Sequence, residues 1–252
     1  MQKEDHNIIT DKLQGRIRMK RIISVLLITV LCCALLFSCD NTEETGKLYL
    51  VRQTMTDKSG TITVEFLYNQ DYRIVKHKTV SGGISDTDSD LGYDENGYQN
   101  YQKNVSKSGL VSEVFITNDA SGRMTERRVV SKYNGKETET VTSYEYTDEN
   151  GSYIEASSSG TTTTVTNDER GNVIARSNNR GQSFTYENKY SGELLVETVT
   201  TMTVGTKTTV TTTRYEYDGQ GNKIKETSYD PDGNVTSTQA FEYSAEVTFA
   251  DR

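Results

Sequence analysis

Short motifs that begin with aspartate and end with glycine recur along the chain, and they constrain its fold more than any other feature. They occupy residues 94–97, 119–122, 148–151, 168–171, 218–221 and 230–233, and shorter Asn-Gly and Ser-Gly turns occur at 134–135 and 191–192. Aspartate opens such turns by accepting hydrogen bonds from nearby backbone amides, and glycine adopts the positive φ that closes them. Between alternating segments, these motifs predict a series of β-hairpins.

The segments between the turns alternate in the way that β-strands do. In residues 61–68, Ile, Val, Phe and Tyr occupy the even positions, whereas Thr, Thr, Glu and Leu occupy the odd ones. A period of two places each set on its own face of a sheet. No segment carries a sustained apolar stripe with the helical period. We therefore predict an all-β domain, an antiparallel β-hairpin meander that forms a curved open sheet or a partly closed barrel. Whether the sheet closes is not readable from the sequence.

The amino-terminal segment is typical of a secretory signal peptide. Met19, Lys20 and Arg21 precede an apolar run of 16 residues, from 22 to 37. Signal peptides contain roughly 7 to 15 apolar residues, whereas a membrane-spanning helix needs about 18 or more. An uncleaved anchor is the alternative interpretation. Because acidic residues such as Glu4 and Asp11 are unusual ahead of the basic group, we expect translation to begin at Met19.

The residues after the apolar run predict lipid attachment. Leu36, Phe37, Ser38 and Cys39 resemble a bacterial lipobox, whose cysteine is acylated, for example with palmitate, after cleavage. We predict that residues 1–38 are removed, that 39–46 form a lipidated polar tether, and that 47–252 form a single β-repeat domain. Acyl chains anchor a protein with about 0.8 kcal/mol per buried methylene, so the expected partner of Cys39 is a membrane.

Charge excludes some partners. The chain has a formal net charge of −8, and its mature part is more acidic still because the predicted signal segment is basic. An acidic surface repels nucleic acid and anionic lipid. We therefore expect no nucleic-acid partner.

Two of the turns carry the signature of a known repeat. The residues that form it are Tyr215, Tyr217, Asp218, Gly221, Asn222, Tyr229, Asp230, Gly233 and Asn234. They resemble YD repeats of the Rhs type, and degenerate copies begin near Tyr93, Tyr144 and Asn167. The chain is similar to small YD-repeat lipoproteins of gut bacteria, some of which have a porin-like or open-barrel fold and no known function. The resemblance implies that these turn residues are structural.

The sequence offers few groups for catalysis or metal binding. His77 is the one histidine outside the predicted signal segment, and we expect it on a strand surface between Lys76 and Lys78. A Ser-His-Asp site would need His77, and a histidine-based zinc site lacks ligands. We therefore expect no catalytic residues, no cofactor and no metal. A glycoside hydrolase built on two carboxylates stays the alternative.

One acidic segment deserves a separate hypothesis. Asp86, Asp88 and Asp90 alternate with Thr87 and Ser89, as calcium ligands sometimes do. An EF-hand loop needs glycine at its sixth position and glutamate at its twelfth, and this segment has neither. We expect residues 81–90 to form a solvated loop.

These features favour a membrane-anchored lipoprotein with a non-catalytic binding or scaffold role. We expect it on the outer membrane of a Gram-negative bacterium, displayed at the cell surface, because Asp40, Glu43 and Glu44 are similar to a surface-export signal. A glycan is the expected ligand class, and Tyr98 and Tyr101 are the candidate stacking residues. The alternative is a periplasm-facing structural lipoprotein that contacts an envelope protein.

Overall fold

The computed structural model describes residues 47–81 and 87–250. The predicted signal peptide, the lipobox at Leu36–Cys39 and the tether lie outside these residues. The strands are β1 (Tyr49–Asp57), β2 (Gly60–Tyr68), β3 (Ile74–Ser81), β4 (Thr87–Tyr93), β5 (Gln99–Ser106), β6 (Val111–Asn118), β7 (Met124–Tyr133), β8 (Lys136–Tyr146), β9 (Tyr153–Ser157), β10 (Thr162–Asn167), β11 (Val173–Asn178), β12 (Gln182–Ser191), β13 (Leu194–Val204), β14 (Lys207–Tyr217), β15 (Lys223–Tyr229), β16 (Val235–Ser244) and β17 (Thr248–Phe249). Within the described part of the chain, no helix is long and apolar enough to cross a membrane.

The sheet closes on itself. Each strand from β1 to β16 pairs antiparallel with the next, and β1 also pairs antiparallel with β16. The two-residue β17 adds a parallel pairing to the end of β2. The predicted all-β antiparallel meander is thus confirmed, and it forms a barrel of 16 strands. Closure removes the free edges that would otherwise invite aggregation.

The two faces of the sheet differ in burial and charge. One face, called here the buried face, carries Gln53, Phe66, His77, Ser89, Gln102, Ser112, Val114, Thr163, Val165, Thr198 and Phe241, all of them buried. The other, called the charged face, carries ion pairs between neighbouring strands, such as those of Arg52 with Glu65 and Glu242. Among the buried side chains of the described residues, only Val130, Thr227 and Ser152 lie away from the buried face. The alternation predicted for residues 61–68 is present, with Phe66 and Tyr68 on the buried face.

The buried face lines the inside of the barrel. On the concave side of a closed sheet the side chains of neighbouring strands converge, whereas on the convex side they diverge and stay accessible. Among the described residues, each strand contacts its neighbours around the ring, and the core cluster of Phe66, Tyr68 and Ile74 is small and local. Barrels of about 16 strands are wide enough to leave an aqueous interior. The interior is therefore a lined surface and not a packed core.

The aspartate turns share one geometry. In the turn at 218–222, Asp218 Oδ1 accepts hydrogen bonds from the backbone amides of Gln220 and Asn222, both at 2.9 Å. Gly221 has φ of 84°, and its amide donates to the Asp218 carbonyl at 3.1 Å. Equivalent bonds form at Asp94, Asp119, Asp168 and Asp230. Because turns after even-numbered strands all lie at the same end of an antiparallel barrel, most of these motifs form one rim, called here the Asp-turn rim.

Tyrosine hydroxyls brace the strands next to this rim. Tyr217 Oη donates to the Leu195 carbonyl at 2.7 Å, and Tyr243 Oη donates to the Lys223 carbonyl at 3.1 Å. Tyr68, Tyr93 and Tyr146 donate in the same way to carbonyls 18 to 22 residues earlier in the chain. Each bond ties the end of an even-numbered strand to the start of the strand immediately before it. These tyrosines therefore hold the two strands of a hairpin together at the rim.

Removing one of these hydroxyls tests the brace. We expect Tyr217→Phe to lower the free energy of unfolding by about 1 kcal/mol, because the Leu195 carbonyl loses a hydrogen bond. Tyr186→Phe is the matched control, since Tyr186 Oη forms no hydrogen bond with the described residues, and it should leave stability unchanged. Urea denaturation followed by circular dichroism gives both values. Equal losses of unfolding free energy in the two variants would show that the Tyr217 hydroxyl does not brace the barrel.

The segment predicted as a solvated loop is partly a strand. Residues 87–90 belong to β4, and Asp90 lies 3.6 Å from Lys76 Nζ on the charged face. Ser89, between the two aspartates, is 1% exposed on the opposite face. The loop prediction is therefore wrong for Ser81, which ends β3, and for 87–90, where strand alternation, and not solvation, explains why every second residue is acidic. Asp86 lies outside the described residues.

Candidate binding site inside the barrel

A group of tyrosines surrounds an ion pair on the inside of the barrel. It consists of Tyr144 on β8, Tyr153 and Glu155 on β9, Arg176 on β11 and Tyr186 on β12. Register places Tyr144 opposite Glu155, whereas Arg176 lies opposite Val165 of β10 and Phe184 of β12. We call these five residues the Tyr–Arg site.

The ion pair spans a strand with short side chains. Arg176 Nη2 lies 2.5 Å from Glu155 Oε1, and β10 runs between the two strands that carry them. The β10 residues beneath the pair are Thr163 and Val165, which are 5% and 2% exposed. Because these side chains are small, the Arg176 side chain can cross over them to reach β9. The Arg176 side chain stays 46% exposed, so its remaining N–H donors face the interior.

Aromatic rings flank the pair on both sides. The rings of Tyr144 and Tyr153 have centroids 5.7 Å apart and are tilted by 59°. On the other side, Phe184 and Tyr186 stack with centroids 6.4 Å apart. Such half-buried rings offer an apolar surface together with a polar edge.

Burial keeps the tyrosine hydroxyls protonated. It raises the pKa of Tyr144 to about 12, although the nearby charge of Arg127 acts in the opposite direction. Burial also raises the pKa values of Tyr153 and Tyr186, and the Arg176 charge opposes both shifts. At physiological pH all three hydroxyls are therefore neutral groups that can donate or accept a hydrogen bond.

The hydroxyls of the Tyr–Arg site differ from those that brace the barrel. Tyr68, Tyr93, Tyr146, Tyr217 and Tyr243 each donate to a backbone carbonyl. By contrast, the hydroxyls of Tyr144, Tyr153 and Tyr186 form no hydrogen bond with any residue in 47–81 or 87–250. These three half-buried hydroxyls are therefore available to form hydrogen bonds with water or with a ligand inside the barrel.

The tyrosines singled out in the sequence have other positions. A Cβ atom built on Gly122 would lie 2.2 Å from Cε1 of Tyr98, so the Tyr98 ring packs on the next turn of the rim. Tyr101 is on the charged face, where its hydroxyl donates to Glu113 at 2.9 Å. Neither residue belongs to the Tyr–Arg site. Tyr144 was visible in the sequence as part of a degenerate repeat, but Glu155 and Arg176 carry no motif.

His77 is also placed differently from its prediction. It lies on the buried face, opposite Phe66 and Ser89 and away from Lys76 and Lys78, and it is 3% exposed. Its Nε2 atom has no hydrogen-bond partner among the described residues. Burial lowers the pKa of His77 to about 4. The prediction of a surface position was wrong because the flanking lysines point to the opposite face.

His77 begins a row of polar side chains along the buried face. Register aligns it with Ser89, Asn104, Ser112 and Ser131 on successive strands. Ser89 Oγ donates to Asn104 Oδ1 at 2.7 Å, and Ser131 Oγ donates to Ser112 Oγ at 3.3 Å. These side chains pair their polar groups with one another and leave few of them for a ligand. This pairing distinguishes the row from the Tyr–Arg site.

Comparison with known proteins identifies the fold. No family model matches the sequence, and no curated protein matches it. A solved porin-like protein from Bacteroides vulgatus is similar with a TM-score of 0.53 and 12% identity, over 79% of this chain and 100% of that one. A porin-like protein from Bacteroides uniformis has a TM-score of 0.37 and 12% identity, over 78% and 98% of the two chains. The first likeness shows a shared barrel fold; the YD-repeat resemblance stays a prediction.

Proposed function

We propose that this protein is a non-catalytic lipoprotein of the bacterial cell surface that binds a glycan chain inside its barrel, at the Tyr–Arg site. The observation that carries the proposal is the set of three free tyrosine hydroxyls around the Glu155–Arg176 pair. Sugar rings present apolar C–H faces together with many hydroxyl groups. Aromatic faces, neutral hydroxyls, a carboxylate and a guanidinium match both features.

The charged face supports a barrel that stands in water. Ion pairs link strands at several positions around the ring, including Lys189 and Arg214 with Glu197, Lys132 with Glu137, and Lys225 with Glu216. A bilayer-spanning barrel needs a continuous apolar band on its outer face, and an arginine or lysine there costs about 2 to 4 kcal/mol at the midplane. We therefore propose that lipid on Cys39, and not the barrel wall, provides membrane attachment.

The direction of β1 sets the orientation in this proposal. Because β1 begins at the Asp-turn rim, the tether proposed for residues 39–46 would join the barrel at that rim. The rim would face the membrane, and the opposite rim, which includes the 134–135 turn, would face outward. Protease treatment of intact cells tests surface display. We expect digestion of the barrel while a periplasmic marker stays intact, and protection until the outer membrane is broken would contradict display.

Removal of the free hydroxyls tests glycan binding. We expect the purified protein to bind members of a glycan array, and the variant Tyr144→Phe/Tyr153→Phe/Tyr186→Phe to bind them about 10-fold or more weakly. Each lost hydrogen bond contributes about 0.5 to 1.5 kcal/mol, and 1.4 kcal/mol corresponds to a factor of ten. The rings and the fold remain, because these hydroxyls have no partner in the described structure.

Tyr133→Phe is the matched control. Tyr133 is 43% exposed at the opposite rim, so loss of its hydroxyl should leave glycan binding unchanged. Absence of any bound glycan, or equal binding by the triple variant, would overturn the proposed site. Release of shorter sugars from a bound glycan would instead show that the protein is an enzyme.

A further inference from the structure

An arginine that has no partner among the described residues lies beside the Tyr–Arg site. Arg127 of β7 is on the buried face, where register places it between Ile116 and Thr142, neither of which is charged. Tyr144 is the next residue of β8 on the same face, and the Arg127 charge acts on its hydroxyl. Arg127 makes no ion pair and no hydrogen bond with any other residue of the described structure.

The other arginines on strands are paired. Arg52 and Arg214 contact glutamates on the charged face, and Arg176 contacts Glu155. Arg128, the direct neighbour of Arg127, lies 4.0 Å from Glu139 and packs over the Phe115 ring. A guanidinium that is partly withdrawn from water without a counter-charge does not stabilise the fold. Its place next to the free hydroxyl of Tyr144, at one end of the Tyr–Arg site, therefore points to a ligand.

We infer that the glycan bound inside the barrel is acidic and that Arg127 pairs with its carboxylate or sulfate group. This inference rests on the proposed function and names the substrate class of the same site. A guanidinium binds either anion through two parallel N–H donors, which gives it both strength and direction. The Arg176 charge is already neutralised by Glu155, so Arg127 supplies the net positive charge of the site.

Three carbohydrate probes separate the contributions of carboxylates, sulfates and neutral sugar rings to binding. Oligogalacturonate carries carboxylates, dextran sulfate carries sulfates, and dextran is neutral. We expect the wild-type protein to bind at least one acidic probe about 10-fold or more tightly than dextran. Arg127→Gln should remove this preference, with a loss of about 10- to 100-fold for the acidic probe and no change for dextran, as expected for hydrogen bonds to charged groups.

Arg128→Gln is the control. It removes the same charge from the adjacent residue but on the charged face, so it should keep the preference. Melting curves of both variants report folding, and Arg127→Gln should match the wild type because it breaks no ion pair or hydrogen bond among the described residues. Tight binding of dextran with no effect of Arg127→Gln would overturn the inference and leave the proposed function standing. Binding of none of the probes or arrayed glycans would overturn both.

Discussion

Acidification from pH 7 to pH 4 should destabilise the barrel through His77. Above pH 6.5 the histidine is neutral in both the folded and the unfolded chain, so it does not make stability depend on pH. Between pH 6.5 and about 4 only the unfolded chain takes up the proton, because burial lowers the pKa of His77 in the folded barrel. The free energy of unfolding therefore falls as pH falls, and below about pH 4 the contribution is constant.

The expected effect is large for one residue. A difference of one pKa unit corresponds to 1.36 kcal/mol, so the shift from 6.5 to about 4 is equivalent to roughly 3 kcal/mol. No nearby acid compensates, since the neighbouring strand positions carry Phe66 and Ser89 and Nε2 has no partner among the described residues. A new positive charge at His77 would lie beside the Phe66 ring, whose centroid is 5.0 Å from that of the imidazole, in a position that water does not reach.

The variant His77→Gln isolates this contribution from the carboxylates, which titrate in both proteins. Urea midpoints measured between pH 7 and pH 4 should fall less steeply for His77→Gln than for the wild type. Lys78→Gln, on the same strand but on the charged face, should keep the wild-type slope. Equal slopes for wild type and His77→Gln would show that the buried histidine does not control acid stability.

Local signals explain why the fold class could be predicted from the sequence. Alternation in residues 61–68 gives the faces of β2, and the aspartate motifs give the turns, because both depend on residues within a few positions. Ring closure depends instead on the register between β1 and β16, in which Gln53 lies opposite Phe241. No local pattern encodes a pairing over that separation. The sequence therefore predicted the hairpins and left closure open.

The candidate site is less visible for the same reason. Glu155 and Arg176 meet only because β10 carries the small residues Thr163 and Val165 between them. His77 was assigned to the surface from its lysine neighbours, although alternation turns it to the opposite face. Tyr98 and Tyr144 look alike in the sequence as tyrosines close to turns. Only tertiary contacts show that the Tyr98 ring packs on a neighbouring turn, whereas Tyr144 faces the interior with a free hydroxyl.

Gly122→Ala should be among the most destabilising single substitutions in the Asp-turn rim. Gly122 has φ of 79°, a conformation that costs a residue with a side chain about 1 to 2 kcal/mol. The added Cβ would also lie 2.2 Å from Cε1 of Tyr98, so the ring would have to leave its place on the turn. We expect a total loss of roughly 3 kcal/mol in the free energy of unfolding, measured by urea denaturation.

Gly109→Ala separates the two causes. Gly109 closes a turn with the same backbone hydrogen bond and φ of 84°, but a Cβ there meets no atom within 4 Å. It should therefore lose only the backbone contribution of about 1 to 2 kcal/mol. If contact with Tyr98 causes the difference, adding Tyr98→Ala should make Gly122→Ala cost no more than Gly109→Ala, because the two residues are then uncoupled. Equal losses for the two glycine variants in the wild-type background would show instead that the Tyr98 ring moves freely, and that it does not tie neighbouring turns of the rim together.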